Sequence, residues 1–405
     1  MKTKHIYSIG FTLLILQVCN AQTLQDYLEI AKSNSSEIRE KHLEHLLFQE
    51  KVNEAGNLND TDISFGYFAS TLETRVGEQI TRLGIEQQLP WFGTLKAEKS
   101  VALAVSETKQ FDVELVERDL LFKVKSLYYE LYQKYKTTTI LKDNKQILTT
   151  YENMALSALE NNRASMSDVL KIKVQKNELH SKIFKNLNEI EALGKNFNRL
   201  LQREMNTQIV VIDSLSVLDI LIEEGSISTH PSLSKLDKFN SIYLAENDLV
   251  NKNKLPKVAI GLDYILVEER QDLKLTGNGK DIIMPKVALS IPIFTKKHTS
   301  KTSQIKIKQE VLLSKKESQK KQLEIALEKS VLELDNAILN VVAAQKNTVE
   351  TQLAIDVDLK AYETGILNYD KILNLQLQKI KFQLMEIEGV RNAFVSKSKI
   401  DYLIN

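Results

Sequence analysis

The sequence contains few of the residues that interrupt helices. Of its 405 residues, only 13 are glycine and 5 are proline. No proline occurs between Pro90 and Pro231 or after Pro292, and residues 94–224 include a single glycine, Gly194. Because proline and glycine are the residues that most disfavour a helix interior, these stretches permit helices of unusual length.

Cysteine is nearly absent as well, and the one cysteine lies in a segment predicted to be removed. Residues 1–21 are typical of an export signal peptide, with Gln22 as the first mature residue. The signal has a basic start, a short apolar core and a small residue at the cleavage position: Lys2, Lys4, Ile9 to Val18 and Ala21. Cys19 is a candidate for lipidation, but Gln17 and Val18 before it are not the small residues that a lipoprotein signal prefers. Cleavage after the signal leaves no cysteine, which excludes disulfides and a catalytic thiol.

Long apolar segments and an excess of one charge are also missing. No stretch after the signal has the roughly 20 apolar residues that a membrane-spanning helix needs, so any span must be made from strands. Lysine and arginine total 54, against 53 aspartate and glutamate. This balance predicts no nucleic-acid partner.

Four short segments alternate between apolar and small or polar residues, the pattern of a half-buried or lipid-facing strand. The apolar positions are Ile63, Phe65, Tyr67, Leu83, Ile85 and Leu89 in the first half, and Val258, Ile260, Leu262, Tyr264, Val287, Leu289, Ile291 and Ile293 in the second. The charged stretches Thr71 to Glu78 and Glu268 to Asp281 are expected to be the loops within each strand pair.

Each strand pair is followed by a helical pattern of unusual length. Apolar residues recur at steps of three and four from about Leu95 to Glu160, and a helix of that length extends ~100 Å. Reversals are predicted at residues 161–163 and at 364–365, where Asn and Gly tolerate the backbone conformations that end helices. Returning helices are predicted from about Ser167 to Arg203 and from about Tyr369 to Leu403.

The two halves carry this pattern at nearly constant spacing. Gly66 and Gly261 are 195 positions apart, and Gln175 and Gln378 are 203 positions apart. Seven of these eight extra positions fall inside the polar stretch Glu268 to Asp281, because Pro90 and Pro292 are already 202 positions apart. A loop insertion is expected there. The predicted domains are therefore the signal peptide 1–21, a first repeat 22–215 and a second repeat 216–405.

Four strands are too few for a barrel in lipid, where the smallest barrels have eight strands and open edges are not tolerated. The predicted fold class is thus mostly α with a small β part, in two tandem strand–strand–long-helical-hairpin repeats that need strands from other protomers. Two protomers would give eight strands, whereas three would give a 12-strand outer-membrane β-barrel continued by a periplasmic α-helical barrel.

The order and spacing of several motifs resemble the TolC family of outer-membrane efflux proteins over essentially the whole mature length. These motifs are Thr23 to Leu28 ahead of Ala31, His230-Pro231-Ser232-Leu233, Leu255-Pro256-Lys257-Val258, Ser290-Ile291-Pro292-Ile293-Phe294, and Tyr362 to Tyr369 ahead of Ile372-Leu373 and Gln376. The first half departs from the family pattern at Ser35-Ser36, where a proline is usual, and at Asn162, where the second half has Gly365.

The resemblance implies a homotrimer in the outer membrane of a Gram-negative envelope, in contact with outer-membrane lipid and extended into the periplasm. It implies efflux transport together with a periplasmic adaptor (a membrane fusion protein) and an inner-membrane pump. Neither a cofactor nor a catalytic residue is implied. The duct of a type I protein-secretion system is an alternative within the same class. A periplasmic coiled-coil adaptor or structural protein is an alternative of another class, although an adaptor normally has a single helical hairpin.

Charged residues at the helix reversals are candidates for a gate at the periplasmic entrance. There they would hold a tube shut through ion pairs or select permeants by charge. The alternative is ordinary capping of solvated helix ends, where such pairs contribute ~0–1 kcal/mol. The candidates are Glu160, Asn162, Arg163, Asp168, Glu363, Gly365 and Asp370.

The strand-to-helix turns are predicted to lie at the membrane interface, which suits Trp and Phe. Their residues are Pro90, Trp91, Phe92, Gly93, Pro292 and Phe294. The segment from Gln87 to Gly93 also resembles the corresponding turn of the heavy-metal-efflux branch of the family.

Two further motifs have a structural interpretation that outweighs the functional one. His42 and His45 have a spacing that suits metal binding, but no third ligand is evident, so two unrelated surface histidines are predicted and no metal site. Gly277 to Lys280 lacks the full spacing of a phosphate loop and does not precede a helix, so it is predicted to be a loop tip.

Overall fold

The structure is a computed structural model that describes residues 23–161, 163–222, 225–272, 274, 276–363 and 369–404. Seven α-helices and four β-strands occur within these residues. In chain order they are α1 (Leu24–Asn34), α2 (Ser36–Glu54), β1 (Asp62–Thr74), β2 (Gly77–Leu89), α3 (Thr94–Glu160), α4 (Met166–Leu200), α5 (Pro231–Lys252), β3 (Lys257–Glu268), β4 (Ile282–Ser290), α6 (Lys296–Glu363) and α7 (Tyr369–Ile404). Two short 3-10 turns, Val217–Asp219 and Ile227–Thr229, lie between α4 and α5.

The predicted order of elements is confirmed. In each half, two consecutive strands are followed by a very long helix and a returning helix. The long helices α3 and α6 have 67 and 68 residues, so each extends ~100 Å. Neither helix contains a glycine or a proline, which is the composition that uninterrupted helices of this length require.

The predicted loop from Thr71 to Glu78 is wrong. β1 continues to Thr74 and β2 begins at Gly77, so only residues 75 and 76 join the two strands. Gly77 has a φ of +136°, and a Cβ atom there would lie 1.8 Å from the carbonyl oxygen of Glu268. Backbone hydrogen bonding between β1 and β2 therefore continues beyond the residues with an alternating pattern. The tight turn and Gly77 allow this longer pairing.

The boundaries of the last strand also differ from the prediction. β4 begins at Ile282 and ends at Ser290, so Ile291 and Ile293 follow the strand instead of lying within it. Both side chains are exposed. Pro292 lies between them, and a proline cannot donate a hydrogen bond to a continuing ladder.

The four strands form one antiparallel sheet in the order β1-β2-β3-β4. One face consists of apolar rows that cross all four strands, such as Phe65, Leu83, Tyr264 and Ile283. These four side chains are between 42% and 72% exposed. The sheet thus presents an apolar surface that nothing in the described part of the chain covers, and β1 and β4 form its two edges.

The chain divides into two compact units. Within the described residues, the first unit contains 23–34, Val124–Val217 and Asn340–Arg391. Side chains from α3, α4, α6 and α7 form its main core, which includes Leu148, Ile172, Ile355, Tyr369 and Ile372. The apolar periodicity of these helices supplies the core residues at steps of three and four.

Three tyrosines of the first unit hold the segment that follows α4. The Tyr27 hydroxyl accepts a hydrogen bond from the backbone N–H of Val210 (2.8 Å). The Tyr128 hydroxyl accepts from Ile212 (3.0 Å), and the Tyr132 hydroxyl accepts from Leu215 (3.2 Å). Side-chain hydroxyls thus satisfy backbone groups that have no secondary-structure partner there.

The second unit contains Ser35–Lys123, Leu218–Leu339 and Asn392–Asn405, and therefore includes the sheet. Ion pairs join α5 to both long helices in this unit. Towards α3, Lys235 pairs with Asp112, and Lys238 pairs with Glu107 at 2.8 Å. Towards α6, the pairs are Asp237 with Lys316 (2.5 Å) and Glu246 with Lys308 (3.1 Å).

His230 caps α5 and is only 3% exposed. Its Nδ1 accepts a hydrogen bond from the backbone N–H of Ser232 (3.2 Å), and its ring packs edge-on against Tyr402. Burial, together with the positive charges of Arg118 and Lys399, lowers the pKa of His230 to about 4. Protonation of Nδ1 would also remove the acceptor that caps the helix.

We predict that His230 makes the stability of the chain depend on pH. An unfolded histidine titrates near pH 6.5. Between pH 6.5 and pH 4 the unfolded chain takes up a proton that the folded chain does not, so stability is highest above this window and decreases as pH falls through it. The loss reaches at most about 3 kcal/mol. His230→Asn keeps a capping acceptor without the titration, so its unfolding midpoint should decrease less between pH 7 and pH 4.5. Equal decreases in both proteins would contradict the prediction.

Candidate functional site

The reversal between α3 and α4 contains a complete helix cap. The Asp168 carboxylate accepts hydrogen bonds from the backbone N–H of Ser165 (3.0 Å) and from its hydroxyl (2.8 Å). The Ser165 hydroxyl oxygen accepts in turn from the backbone N–H of Asp168 (3.2 Å). Asp168 therefore has a capping contact, whereas the side chains of Glu160 and Arg163 are exposed.

Part of the predicted gate lies outside the described residues, namely Asn162 and Gly365. Glu363 is the last residue of α6, and α7 begins at Tyr369. Asp370 lies in the first turn of α7 and forms an ion pair with another helix.

Asp370 forms an ion pair with Lys171 of α4. The Lys171 ammonium donates to both carboxylate oxygens, at 2.7 and 2.8 Å, and this hydrogen bonding to Asp370 raises the pKa of Lys171. Both side chains are partly exposed to solvent. The prediction from sequence missed Lys171, because the two residues are 199 positions apart and lie on helices of different repeats.

A shallow groove of about 450 Å³ runs between α4 and α7 beside this ion pair. Leu170, Val174, Leu373 and Leu377 supply its apolar part. Leu170 and Val174 are more than half exposed. The groove is therefore a surface of apolar residues with an ion pair at its side, open to a partner.

Three tyrosines pack together next to the start of α7. The Tyr369 ring lies edge-on to Tyr151 and Tyr362, with centroid distances of 5.7 and 5.6 Å. Tyr369 is 1% exposed, and its burial raises the pKa of its hydroxyl above the usual value. This packing anchors the helix that carries Asp370. Tyr362 and Tyr369 belong to the family-like motif, but only the fold brings Tyr151 beside them.

The second face of the sheet has a buried charge network. Asp263 on β3 is fully buried and pairs with Arg82 on β2 and with Lys286 on β4, the latter at 2.9 Å. Lys286 also lies 3.5 Å from Glu86. Gly84 leaves the space that Asp263 occupies, since a Cβ atom at that position would lie 2.7 Å from the carboxylate. The face of the sheet that is formed by the small and polar residues thus contains a network of ion pairs.

The strand-to-helix turns expose aromatic side chains. Trp91 and Phe92 are in edge-on contact, with ring centroids 6.2 Å apart, and Phe92 is 88% exposed. Gly93 follows with a φ of +83°, a conformation that favours glycine, and immediately precedes α3. In the second half Phe294, two residues after Pro292, is also 88% exposed.

The two motifs that are predicted to have no ligand, His42 with His45 and Gly277 to Lys280, lie on the surface. The His45 ring is hydrogen bonded to Gln49 (2.9 Å), and Glu44 pairs with Lys41 (3.0 Å). Among the described residues, no group of three or more His, Cys, Asp and Glu side chains is arranged to hold a metal ion. Gly277 to Lys280 lies in the connection between β3 and β4. None of the helices that the structure describes is both long and apolar enough to cross a membrane.

Comparisons with solved structures identify the fold. The outer membrane protein VceC from Vibrio cholerae matches with a TM-score of 0.72 and 12% identity, over 94% of this chain and 95% of that chain. CusC, described for its folding and transmembrane channel formation, matches with a TM-score of 0.77 and 13% identity, over 94% and 92%. The MtrE outer membrane channel of Neisseria gonorrhoeae, solved in its open state, matches with a TM-score of 0.74 and 12% identity, over 94% and 88%.

The likeness extends along nearly the whole chain, so the fold expected from the family resemblance is confirmed: the chain has the fold of these outer-membrane channels. No protein-family model matches the sequence, and no curated protein matches it. The structural similarity thus persists where sequence similarity does not.

We predict that Asp263 stabilises the sheet through its two cations. Asp263→Ala leaves Arg82 and Lys286 without their shared carboxylate and should cost about 2 kcal/mol of unfolding free energy. Glu86→Gln is the matched control, because its pair with Lys286 is longer and more exposed and should contribute little. Urea unfolding of the purified chain in detergent measures both. Equal effects of the two substitutions would contradict the prediction.

Proposed function

We propose that the chain is one protomer of a homotrimeric outer-membrane channel. The channel passively conducts solutes to the exterior from a periplasmic adaptor and an inner-membrane pump. The observation that carries this proposal is the four-stranded sheet, which has an exposed apolar face and two unpaired edges. In this proposal each protomer consists of two tandem repeats, 22–215 and 216–405.

The apolar face of the sheet suits contact with lipid. Its rows continue across all four strands, and aromatic side chains of Trp91, Phe92 and Phe294 follow at the ends of the strands. A belt of exposed aromatic residues is typical of the boundary between lipid and water. The opposite face, with Arg82, Asp263 and Lys286, suits a water-filled interior.

The edges require other copies of the chain. In lipid, unpaired backbone N–H and C=O groups cost several kcal/mol each, so only a closed barrel is stable. Three copies supply 12 strands, the number that the family resemblance implies. In this assembly β4 of one copy pairs with β1 of the next.

Exposed aliphatic side chains on α6 support contacts between copies. Ile325, Leu332 and Leu339 follow one another at intervals of seven residues and are 60–66% exposed. Intervals of seven place side chains on one stripe of a helix, as in packed helical bundles. An apolar stripe of this kind is stable in water when a second helix covers it. In the proposed trimer, a neighbouring copy covers it.

The tips of the helical hairpins form the proposed periplasmic entrance. The gate consists of Glu160, Asn162, Arg163, Asp168, Glu363, Gly365 and Asp370. Among these residues Asp370 is the principal candidate, and its ion pair with Lys171 keeps α4 and α7 together. The apolar groove beside the pair is the proposed docking surface for the adaptor.

Other functions in the same class differ in cargo and pump. A metal cation, a drug or an exported protein would each use the same conduit. The rival from another class, a soluble periplasmic adaptor, is disfavoured by the apolar sheet face, which such a protein would expose to water.

Recovery from fractionated cells tests the proposal. The chain should be found in outer membranes as an oligomer that dissociates on heating, and detergent should be needed to extract it. Recovery in the soluble periplasmic fraction would overturn the proposal and support the adaptor.

We predict that charges on the α6 stripe weaken the oligomer. Leu332→Glu and Leu339→Glu together replace apolar contacts, each worth about 2 kcal/mol when buried, so the oligomer should dissociate at a lower temperature. Leu221→Glu is the control, since Leu221 is 77% exposed and lies outside the helices. An unchanged dissociation temperature in the double variant would contradict the proposed contact.

We also predict that Asp370 limits conduction. Asp370→Asn removes the partner of Lys171 and a negative charge at the proposed entrance, so single-channel conductance in planar bilayers should increase and cation preference should decrease. Asp143→Asn is the matched control, because Asp143 is an exposed carboxylate on α3 that lies about 17 residues before the reversal. Unchanged conductance and unchanged ion preference in Asp370→Asn would exclude the gating role.

A further inference from the structure

The sequence that leads into α6 is strongly basic. Between Asp281 and Glu310 there is no acidic residue, whereas this stretch contains six lysines and one histidine. Lys296, Lys297 and Lys301 lie in the first two turns of α6, and all three side chains are exposed. None of the three forms an ion pair with any residue that the structure describes.

These lysines do not stabilise the helix. The N-terminal end of a helix carries a partial positive charge, so cations there are unfavourable unless an anion is close. The first turn of α6 contains no acidic residue. At the start of α3, the equivalent helix of the first repeat, Glu98 lies between Lys96 and Lys99. The uncompensated positive charge is therefore specific to the second repeat.

Further lysines lie at the same end of the sheet. Lys257 begins β3 and pairs in register with Ser290, the last residue of β4. Lys252 ends α5, and its ammonium lies 3.4 Å from the position of a Cβ atom built on Gly93. The basic collar is defined here as Lys252, Lys257, Lys296, Lys297 and Lys301.

Exposed apolar side chains lie directly beside the basic collar. Ile291, Ile293 and Phe294 connect β4 to α6 and are 58%, 79% and 88% exposed. Apolar residues next to a row of lysines are the arrangement by which protein segments bind the surface of an anionic membrane. The apolar side chains enter the lipid, and the lysines remain at the level of the headgroups.

A groove of about 320 Å³ adjoins the start of α6. Val101, Leu249 and Ile305 are among its apolar walls, and Lys301 lies at its rim. The other lysine of this groove, Lys308, is held by Glu246 at 3.1 Å. Of the two lysines in this groove, Lys301 is therefore the one available to pair with an anionic group that lies against the apolar residues.

We propose that the basic collar binds the phosphate groups of anionic phospholipids in the membrane leaflet that adjoins the helices. The proposal rests on the proposed function, because that function places the sheet in a membrane. The observations favour lipid over a second copy of the chain, since the collar adjoins exposed apolar residues that suit a bilayer.

Lipid titration of the purified full-length chain in a non-ionic detergent tests the proposal. Phosphatidylglycerol, phosphatidylcholine and inorganic phosphate are added separately, and the thermal unfolding temperature is followed. Phosphatidylglycerol should stabilise the chain at concentrations roughly tenfold lower than phosphatidylcholine. Inorganic phosphate should not reproduce this effect. Equal potency of the two lipids, or full reproduction by phosphate, would overturn the proposal.

Substitutions then assign the effect to the collar. The triple variant Lys296→Gln, Lys297→Gln and Lys301→Gln should lose most of the preference for phosphatidylglycerol. Replacement of the same lysines by arginine should retain it. The matched control Lys315→Gln, Lys329→Gln and Lys346→Gln removes the same charge further along α6 and should also retain it. A glutamine triple variant that retains the preference would overturn the proposal.

The oligomer separates this proposal from its alternatives. In phosphatidylcholine the glutamine triple variant should remain as oligomeric as the wild type. Loss of the oligomer there would show that the lysines face a second copy, and would overturn the lipid site. Failure of the proposed function has a different signature, because the wild-type chain itself would then be recovered without detergent from the periplasm.

Discussion

The two edges of the four-stranded sheet impose the main constraint on this molecule. β1 and β4 each offer a row of backbone groups on one side, and the apolar face between them suits lipid. Within a membrane such groups must be paired, because no water is present to accept or donate hydrogen bonds. The proposed assembly of several copies follows from this requirement. In the proposed trimer, the barrel would hold the long helices, which begin shortly after β2 and β4, in one ring.

The opposite face of the sheet shows how the same strands can serve a conduit. Asp263 links Arg82 and Lys286 across three strands, and Gly84 provides the space for its carboxylate. This network favours one register of the strands, because a slip of one residue would move the charges to the apolar face. A single alternating pattern thus determines both the surface for lipid and the polar surface behind it.

The sequence predicted the elements whose signal is periodic. The helices from Thr94 to Glu160 and from Lys296 to Glu363 follow from apolar spacing and from the absence of helix breakers. The end of β1 was missed, because backbone pairing continues beyond the alternating residues. Contacts between distant residues were also missed, as with Lys171 and Asp370. Charge type alone identifies Asp370 as a candidate, but only the fold shows which cation lies beside it.

Disulfide cross-linking between β1 and β4 tests the central claim most directly. The predicted mature chain has no cysteine, so Ser64→Cys can be combined in turn with cysteine at Met284, Lys286 or Ala288, which lie on the same face of the sheet. The account predicts that at least one pair gives covalent dimers and trimers on a non-reducing gel, with no larger species, and that single-cysteine variants give no trimer. Only monomers from every pair, or a ladder that ends at two or continues beyond three, would contradict the account.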